Sequence, residues 1–313
     1  MPDTYSAFDP DLADLTKAVW MAHMQKIGQD HGFFRQLGKR HFATHIRRGD
    51  TLLVSFETVQ DMRGLSALCE PMGWRMVREN GWSHLCMVGD GNTWFRDRDV
   101  FEFFDDMTDE GFFDAFETVV FYGAGPCGYA AAAFSVAAPG ARVITVQPQA
   151  TLDPRVTAWD DRYCEMRRTS FTDRYGYAPD MLDACDQAFV LYDPLESLDA
   201  AHAALFTRPG VTQLRMRHMG DAIQSDLMAM NLFAPLLVHV AEDRLDGTSF
   251  ARLYRARRTH PPYLRRVMAA LEFEERDGLV YMMARNVTRR MKAPRFERRL
   301  AEIDAARAIA SEG

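Results

Sequence analysis

Apolar and polar positions follow two different periods along this chain. Over residues 10–38, Leu12, Leu15, Val19, Trp20, Met24 and Ile27 recur at roughly helical spacing among polar neighbours, which predicts a packing helix without chemistry of its own. The middle of the chain turns to short apolar runs, such as Val119-Val120-Phe121-Tyr122 and Phe189-Val190-Leu191-Tyr192. Runs of this kind mark strands buried on both faces. Strands are expected at 51–57, 83–88, 118–122, 142–147, 188–192 and 212–216, with helices at 59–68, 100–107, 128–137, 200–206 and 222–230. Strand and helix in alternation imply an α/β fold, a mostly parallel sheet flanked by helices. Ligands of such sheets gather at the carboxyl ends of the strands. From Phe250 onward the pattern is helical and rich in arginine. The expected organisation is a helical segment over 1–48, an α/β core over 49–245 and a helical, Arg-rich extension over 246–313, read as a solvated face.

Composition narrows the functional classes. The chain has 313 residues, 47% of them hydrophobic, enough for a core that needs no staple. A formal charge of −7 points away from nucleic acid and anionic membranes as partners. The five cysteines are scattered and form no CxxC pair, so neither zinc site nor redox dithiol is indicated, and a reducing compartment fits. The opening Met-Pro-Asp-Thr-Tyr has no leader-like pattern, and the expected location is cytoplasmic. The acidic cluster Asp90, Asp97, Asp99, Asp105 and Asp106 around Trp94 lacks the spacing of a cation loop and is read as solvated. No metal or cofactor is expected, and nothing specifies an oligomer.

The sharpest local feature is Gly123-Ala124-Gly125-Pro126-Cys127-Gly128-Tyr129, set between an apolar strand and an alanine-rich helix. Gly123, Gly125 and Gly128 match GxGxxG, and the turn resembles that of flavoprotein disulfide reductases, which hold a dinucleotide pyrophosphate on backbone amides. That reading requires an acidic residue at the end of the next strand, where Gln147 stands.

The same string also resembles the nucleophile elbow of α/β hydrolases, in particular a bacterial hydrolase-like group associated with glycosyltransferases. Its elbow reads roughly Gly-x-Ser-Met-Gly-Gly-Tyr, and its next strand ends in Pro-Gln, followed by Asp-Pro and an Asp-Arg pair. Here these stand as Pro148-Gln149, Asp153-Pro154 and Asp161-Arg162, and the resemblance covers about residues 118–220. It implies an α/β-hydrolase-like fold in which Gly125 occupies the nucleophile position, and glycine offers no attacking oxygen. The other triad places would fall to Asp193 or Asp199 and then His218, in α/β-hydrolase chain order.

Three readings follow. The leading one is a degenerate hydrolase-like protein that binds a small-molecule or glycan-related ligand at the strand ends, through Gly123, Ala124, Gly125, Pro126, Gly128, Tyr129, Ser55 and Asp193. The second is a hydrolase or acyltransferase using Cys127, a thiolate at a helix N-terminus, or water activated by His218 with Asp199. The third is a dinucleotide-binding oxidoreductase. Structural alternatives stand beside each residue: Asp199 as a helix N-cap, Asp193 as a turn former, Cys127 as a small hydrophobe, Ser55 as a strand residue and His84 as an edge histidine. An Asp161-Arg162 network could cap the cleft or fix the loop.

Overall fold

Eight strands form one sheet in the order β1-β2-β4-β3-β5-β6-β7-β8: β1 (Gly32–Leu37), β2 (His41–Ile46), β3 (Thr51–Thr58), β4 (Ser83–Gly89), β5 (Thr118–Ala124), β6 (Arg142–Val146), β7 (Gln187–Tyr192) and β8 (Val211–Arg215). In this computed structural model, which describes Phe8 and residues 10–312, β2 runs antiparallel to both its neighbours. The pairs from β4 to β8 are all parallel. A mostly parallel sheet flanked by helices, one strand reversed near its edge and a tight elbow after β5, is an α/β-hydrolase-like fold.

The helices of the larger unit are α1 (Lys17–His31), α2 (Val59–Leu65), α3 (Trp74–Asn80), α4 (Arg98–Asp109), α5 (Pro126–Phe134), α6 (Pro154–Thr157), α7 (Ala178–Met181), α8 (Ser197–Leu205), α9 (Ile223–Ala229) and α10 (Phe233–Ala241). The chain divides into compact units at Ala251/Arg252, within α11 (Gly247–Leu253). The second unit holds α12 (Pro261–Phe273), α13 (Asp277–Arg290) and α14 (Pro294–Glu312) around Leu264, Met268, Val280, Ala284 and Val287. Among the described residues, no single helix is long and apolar enough to cross a membrane. The opening Met-Pro-Asp-Thr-Tyr lies outside the described residues.

The first element departs from expectation. The helix predicted over 10–38 stops at His31, and residues 32–46 are the sheet's first two strands. Gly38, at φ +59°, turns the hairpin. Phe34 stacks on Phe42 at 5.2 Å across it. Cross-strand aromatic pairs of this kind stabilise a hairpin by up to about 1 kcal/mol, and tertiary burial of all six β2 residues settles the competition in favour of strand. The acidic cluster also has work of its own. Asp97 caps α4, while Asp90, Asp105 and Asp106 pair with Lys17, Arg174 and Arg35.

The core lies on both faces of the sheet. On one, Phe56, Phe104 and Phe134 stack face to face at 4.6–5.8 Å, which fixes α4 and α5 over β3. On the other, Trp20, Met24, Phe42 and Trp74 form a second buried cluster under α1 and α3. Alanines 130–133 are fully buried, so α5 approaches the sheet closely. Gly123 shows how closely: a Cβ there would stand 2.0 Å from the Cys127 carbonyl oxygen.

Candidate functional site

The elbow forms where β5 ends and α5 begins. Gly125 sits at φ 55°, ψ −126°, a conformation that any side chain adopts only with strain. Its N–H donates to the Val146 carbonyl at 2.8 Å, and its carbonyl accepts from the Tyr129 N–H at 3.0 Å. A Cβ on Gly125 would meet nothing within 4 Å. This strained strand–turn–helix backbone is of the kind that nucleophile elbows use, the space for a side chain is open, and residue 125 is glycine. The next residue, Pro126, has no N–H, and that N–H is half of an α/β-hydrolase oxyanion hole. This second deficit is legible in the sequence once the elbow is aligned.

A cleft of about 450 Å³ opens above the elbow, lined by Gly125, Gln147, Gln149, Arg162, Asp199 and Gln224 among others. Gln147 holds φ +49°, strained for a residue with a side chain, and hydrogen bonds from its backbone and its side-chain amide keep it there. Its backbone N–H donates to the Leu191 carbonyl at 2.7 Å. Its amide donates to Asp199 Oδ2 at 2.7 Å and to the Gly220 carbonyl at 3.4 Å, and accepts from the Ile223 N–H at 3.2 Å. The loop residue His218 shares the left-handed region at φ +66°. Strained residues thus stand at or just beyond the ends of β5, β6 and β8.

The two candidate triad acids, Asp193 and Asp199, are engaged by backbone N–H groups, Arg162 and Gln147. Asp199 is buried in the first turn of α8, whose N-cap is Glu196, so it is not the cap that its sequence position predicts. Arg162 Nη1 donates to its Oδ1 at 2.6 Å. The Arg162 guanidinium also forks onto Asp160 at 2.8–3.1 Å; the network runs through Asp160, not through Asp161. His202 Nε2 lies 2.9 Å from Asp160, and the Ala150 N–H donates to His202 Nδ1 at 3.1 Å. A backbone donor at Nδ1 leaves the ring proton on Nε2, facing Asp160, so His202 is neutral. Burial lowers the His202 pKa, and the Asp160 bond only partly opposes it. Burial also opposes ionisation of Asp160, yet the bonds from Arg162 and His202 outweigh it and hold this carboxyl below its ordinary value. Asp193, after β7, accepts from the Leu195 N–H at 2.9 Å and the Gly220 N–H at 2.7 Å. Its turn-forming role extends to pinning the loop after β8.

Cys127 does not meet the requirements of a nucleophile. It is buried beside an enclosed crevice of about 10 Å³, roughly the space of a single water. Burial, followed by the nearby charges of Asp61 and Glu57, pushes its thiol well above the ordinary range, which outweighs the helix N-terminus.

Ser55 and His84 belong to a different arrangement. His84 is in an interior strand and fully buried, not at an edge. Ser55 Oγ donates to Glu57 Oε1 at 2.6 Å and lies 2.8 Å from His84 Nε2 and 3.4 Å from Cys86 Sγ. The Cys86 thiol and the Met72 N–H both donate to Glu57. Donor atoms of Glu57, His84 and Cys86 lie within 4.8 Å of one another, a set able to hold a metal. The Ser55 hydroxyl stands among them and closes the set as a hydrogen-bond network. Sequence periodicity could not reveal it, because the pairing of β3 with β4 brings these residues together.

No family model and no curated protein matches this chain. Among solved structures, it is similar to a hyperthermophilic esterase from the archaeon Pyrobaculum calidifontis, with TM-score 0.44 and 13% identity over 74% of this chain and 91% of the esterase. Dipeptidyl peptidase 4 of Porphyromonas gingivalis gives 0.45 at 14% identity, over 66% of this chain and 34% of that one. The glycosylation-associated Gap123 complex of Streptococcus agalactiae gives 0.39 at 10%, over 63% and 44%. Likeness of this degree bears on no residue of the site.

Proposed function

We propose that this chain is a degenerate α/β-hydrolase-like protein that binds a small, hydroxyl-rich ligand, of the glycan-related kind, in the cleft over Gly125 without acyl transfer. One observation carries the reading: the elbow keeps its strained backbone while Gly125 supplies no nucleophile and Pro126 no oxyanion donor. The cleft's polarity supports the ligand class. Gln149 is buried, and its Nε2 donates to the Gln147 carbonyl at 3.2 Å. That bond fixes the amide so that Oε1 is a buried acceptor without a partner. Asp61 and Asp221 add carboxylates, and Tyr163 lines the same cleft. A ligand rich in hydroxyl donors satisfies such a lining. An unpaired buried acceptor costs about 1–3 kcal/mol, which a donor from the ligand relieves.

The test has two arms. Fluorophosphonate labelling and activated-ester hydrolysis are expected to show nothing above background. Thermal-shift screening with mono- and oligosaccharides is expected to give stabilisation that Gln149→Leu abolishes. Covalent labelling of the native chain, or a saccharide shift unchanged in Gln149→Leu, contradicts the proposal.

A further inference from the structure

The net charge of the chain conceals a segregation inside its second unit. Residues 252–271 carry six arginines and no acidic side chain; residues 278–296 carry four arginines, one lysine and again no acid. Between them, residues 272–277 hold four acidic side chains. Helices α12 and α13 meet at that acidic turn, and Arg290 Nη1 donates to the Arg258 carbonyl at 3.2 Å. The basic start of α12 and the basic end of α13 therefore lie together, opposite the acidic turn. The acids at the turn engage Arg299 and Arg276. Among the described residues, Arg258, Arg289 and Arg290 are exposed and pair with no carboxylate.

A groove of about 410 Å³ lies at this basic end. Arg258, Arg290, Asn286 and Tyr263 rim it, with Leu264 and Val287 buried beneath. Arg290 is held in place by carbonyl oxygens alone, since its Nε donates to the Asn286 carbonyl at 3.3 Å. Its charge is positioned without being neutralised.

We infer that this groove binds nucleoside phosphates, the phosphate on the forks of Arg258 and Arg290 and the base against Tyr263. Guanidinium pairs recognise phosphate bidentately, and aromatic rings beside arginines are stacking platforms for bases. Asn286 offers both donor and acceptor to a base edge. A membrane is a poorer fit: the unit's most exposed aromatic, Phe273, is 91% exposed but sits in the acidic turn, away from the arginines, and surface-binding helices need apolar anchors beside their cations. The sequence-level expectation of no nucleic-acid partner rested on net charge, which averages over this asymmetry.

The same chemistry is presented by a free nucleotide and by single-stranded nucleic acid, and the experiment separates them. Anisotropy of fluorescein-labelled oligouridylate with the full chain is expected to show saturable binding that weakens as salt rises. The double variant Arg258→Gln/Arg290→Gln, whose side chains are exposed and whose fold circular dichroism verifies, is expected to weaken it by more than about ten-fold, with Arg→Lys retaining more. Tyr263→Leu is expected to lose about ten-fold, and Tyr263→Phe little, because stacking needs only the ring. Displacement by millimolar ATP identifies a mononucleotide site; affinity that grows with strand length while ATP fails identifies a strand site. Both support the inference. It is overturned if neither probe binds, if the arginine variants bind as the parent does, if heparin binds equally with no effect of Tyr263→Leu, or if only phosphatidylglycerol vesicles are bound.

Discussion

Two regions of the same sheet hold opposite halves of what a hydrolase needs. At β3 and β4, a serine, a histidine, a glutamate and a cysteine touch one another, yet Ser55, His84 and Cys86 are wholly buried. At the end of β5, an open cleft and a strained elbow present an accessible backbone position with no reactive side chain. Residue type alone would assign the chemistry to the first region. Access and backbone conformation are what the proposed ligand site at the second rests on. Reactive side chains sealed in a core act as a hydrogen-bond network, and the cost of disturbing it is stability.

The largest effect that sharpens this contrast is therefore expected from Ser55→Ala. Removing the hydroxyl leaves His84 Nε2–H unpaired in a dry core and leaves Glu57 Oε1 with only the weak Cys86 thiol donor, a loss of about 2–3 kcal/mol in urea unfolding. Saccharide binding at the cleft should be unchanged at temperatures where the variant is folded. A variant that is fully stable, or one that is stable but loses binding, would erase the distinction between the two regions.

The next effect is in pH. Burial depresses His84 to about 3 and His45 to about 4. Each favours the neutral native ring, so its stabilisation is present above the ordinary value of 6.5 and is lost as pH falls towards those values. Burial raises Glu57 to about 7, against the hydrogen bonds from Ser55, Met72 and Cys86. Its native proton stabilises below the ordinary value of 4.5, and that stabilisation is lost as pH rises through 7. Between these limits two histidines gain while one carboxyl loses. Stability should climb by on the order of 2 kcal/mol from pH 5 to pH 6.5 and then level or dip. Glu57→Gln should roughly double that climb, and the ratio of the two slopes in pH-resolved denaturation is the measurement that decides it.

Much of the fold was legible because its signals are local. The apolar runs of β3 to β8 and the helices expected after them fall close to their limits, though α3, α6 and α7 were not anticipated, and the small residues of the elbow imposed the strand–turn–helix geometry. The hairpin of β1 and β2 escaped because β1 falls inside the segment read as helix, while β2 is buried at all six positions and shows no alternation of its own; only pairing with β4 distinguishes them. Candidate site residues were harder for a related reason. Asp199 reads as a cap by position, but its partners Gln147 and Arg162 come from the ends of other elements. Gln147 drew notice only for not being acidic. Cys127 read as a thiolate from its helix position, since nothing local reports that the sheet and α5 bury it. Pairings between distant segments and degrees of burial have no local spelling.

Gly125→Ser is the substitution that most directly tries to turn the cleft into an enzyme. The new Cβ meets no neighbour within 4 Å, so its cost is mainly the backbone strain, about 1–3 kcal/mol. We expect a folded protein with no ester hydrolysis above background. Pro126 leaves the developing oxyanion without its elbow donor, and losing one such donor costs about 10²–10³ in rate. The acids are also occupied: Asp193 by backbone N–H groups and Asp199 by Arg162 and Gln147. Adding Pro126→Ala restores the missing N–H and should raise fluorophosphonate labelling of the serine without producing turnover, because Asp193 and Asp199 are held by other groups and not positioned to orient a base. If Gly125→Ser alone turns over p-nitrophenyl acetate in a burst followed by a steady phase, the commitments of Asp193 and Asp199 are weaker than their hydrogen bonds imply. The open region would then stand one residue from catalysis, and the contrast with the sealed region would rest on Gly125 alone.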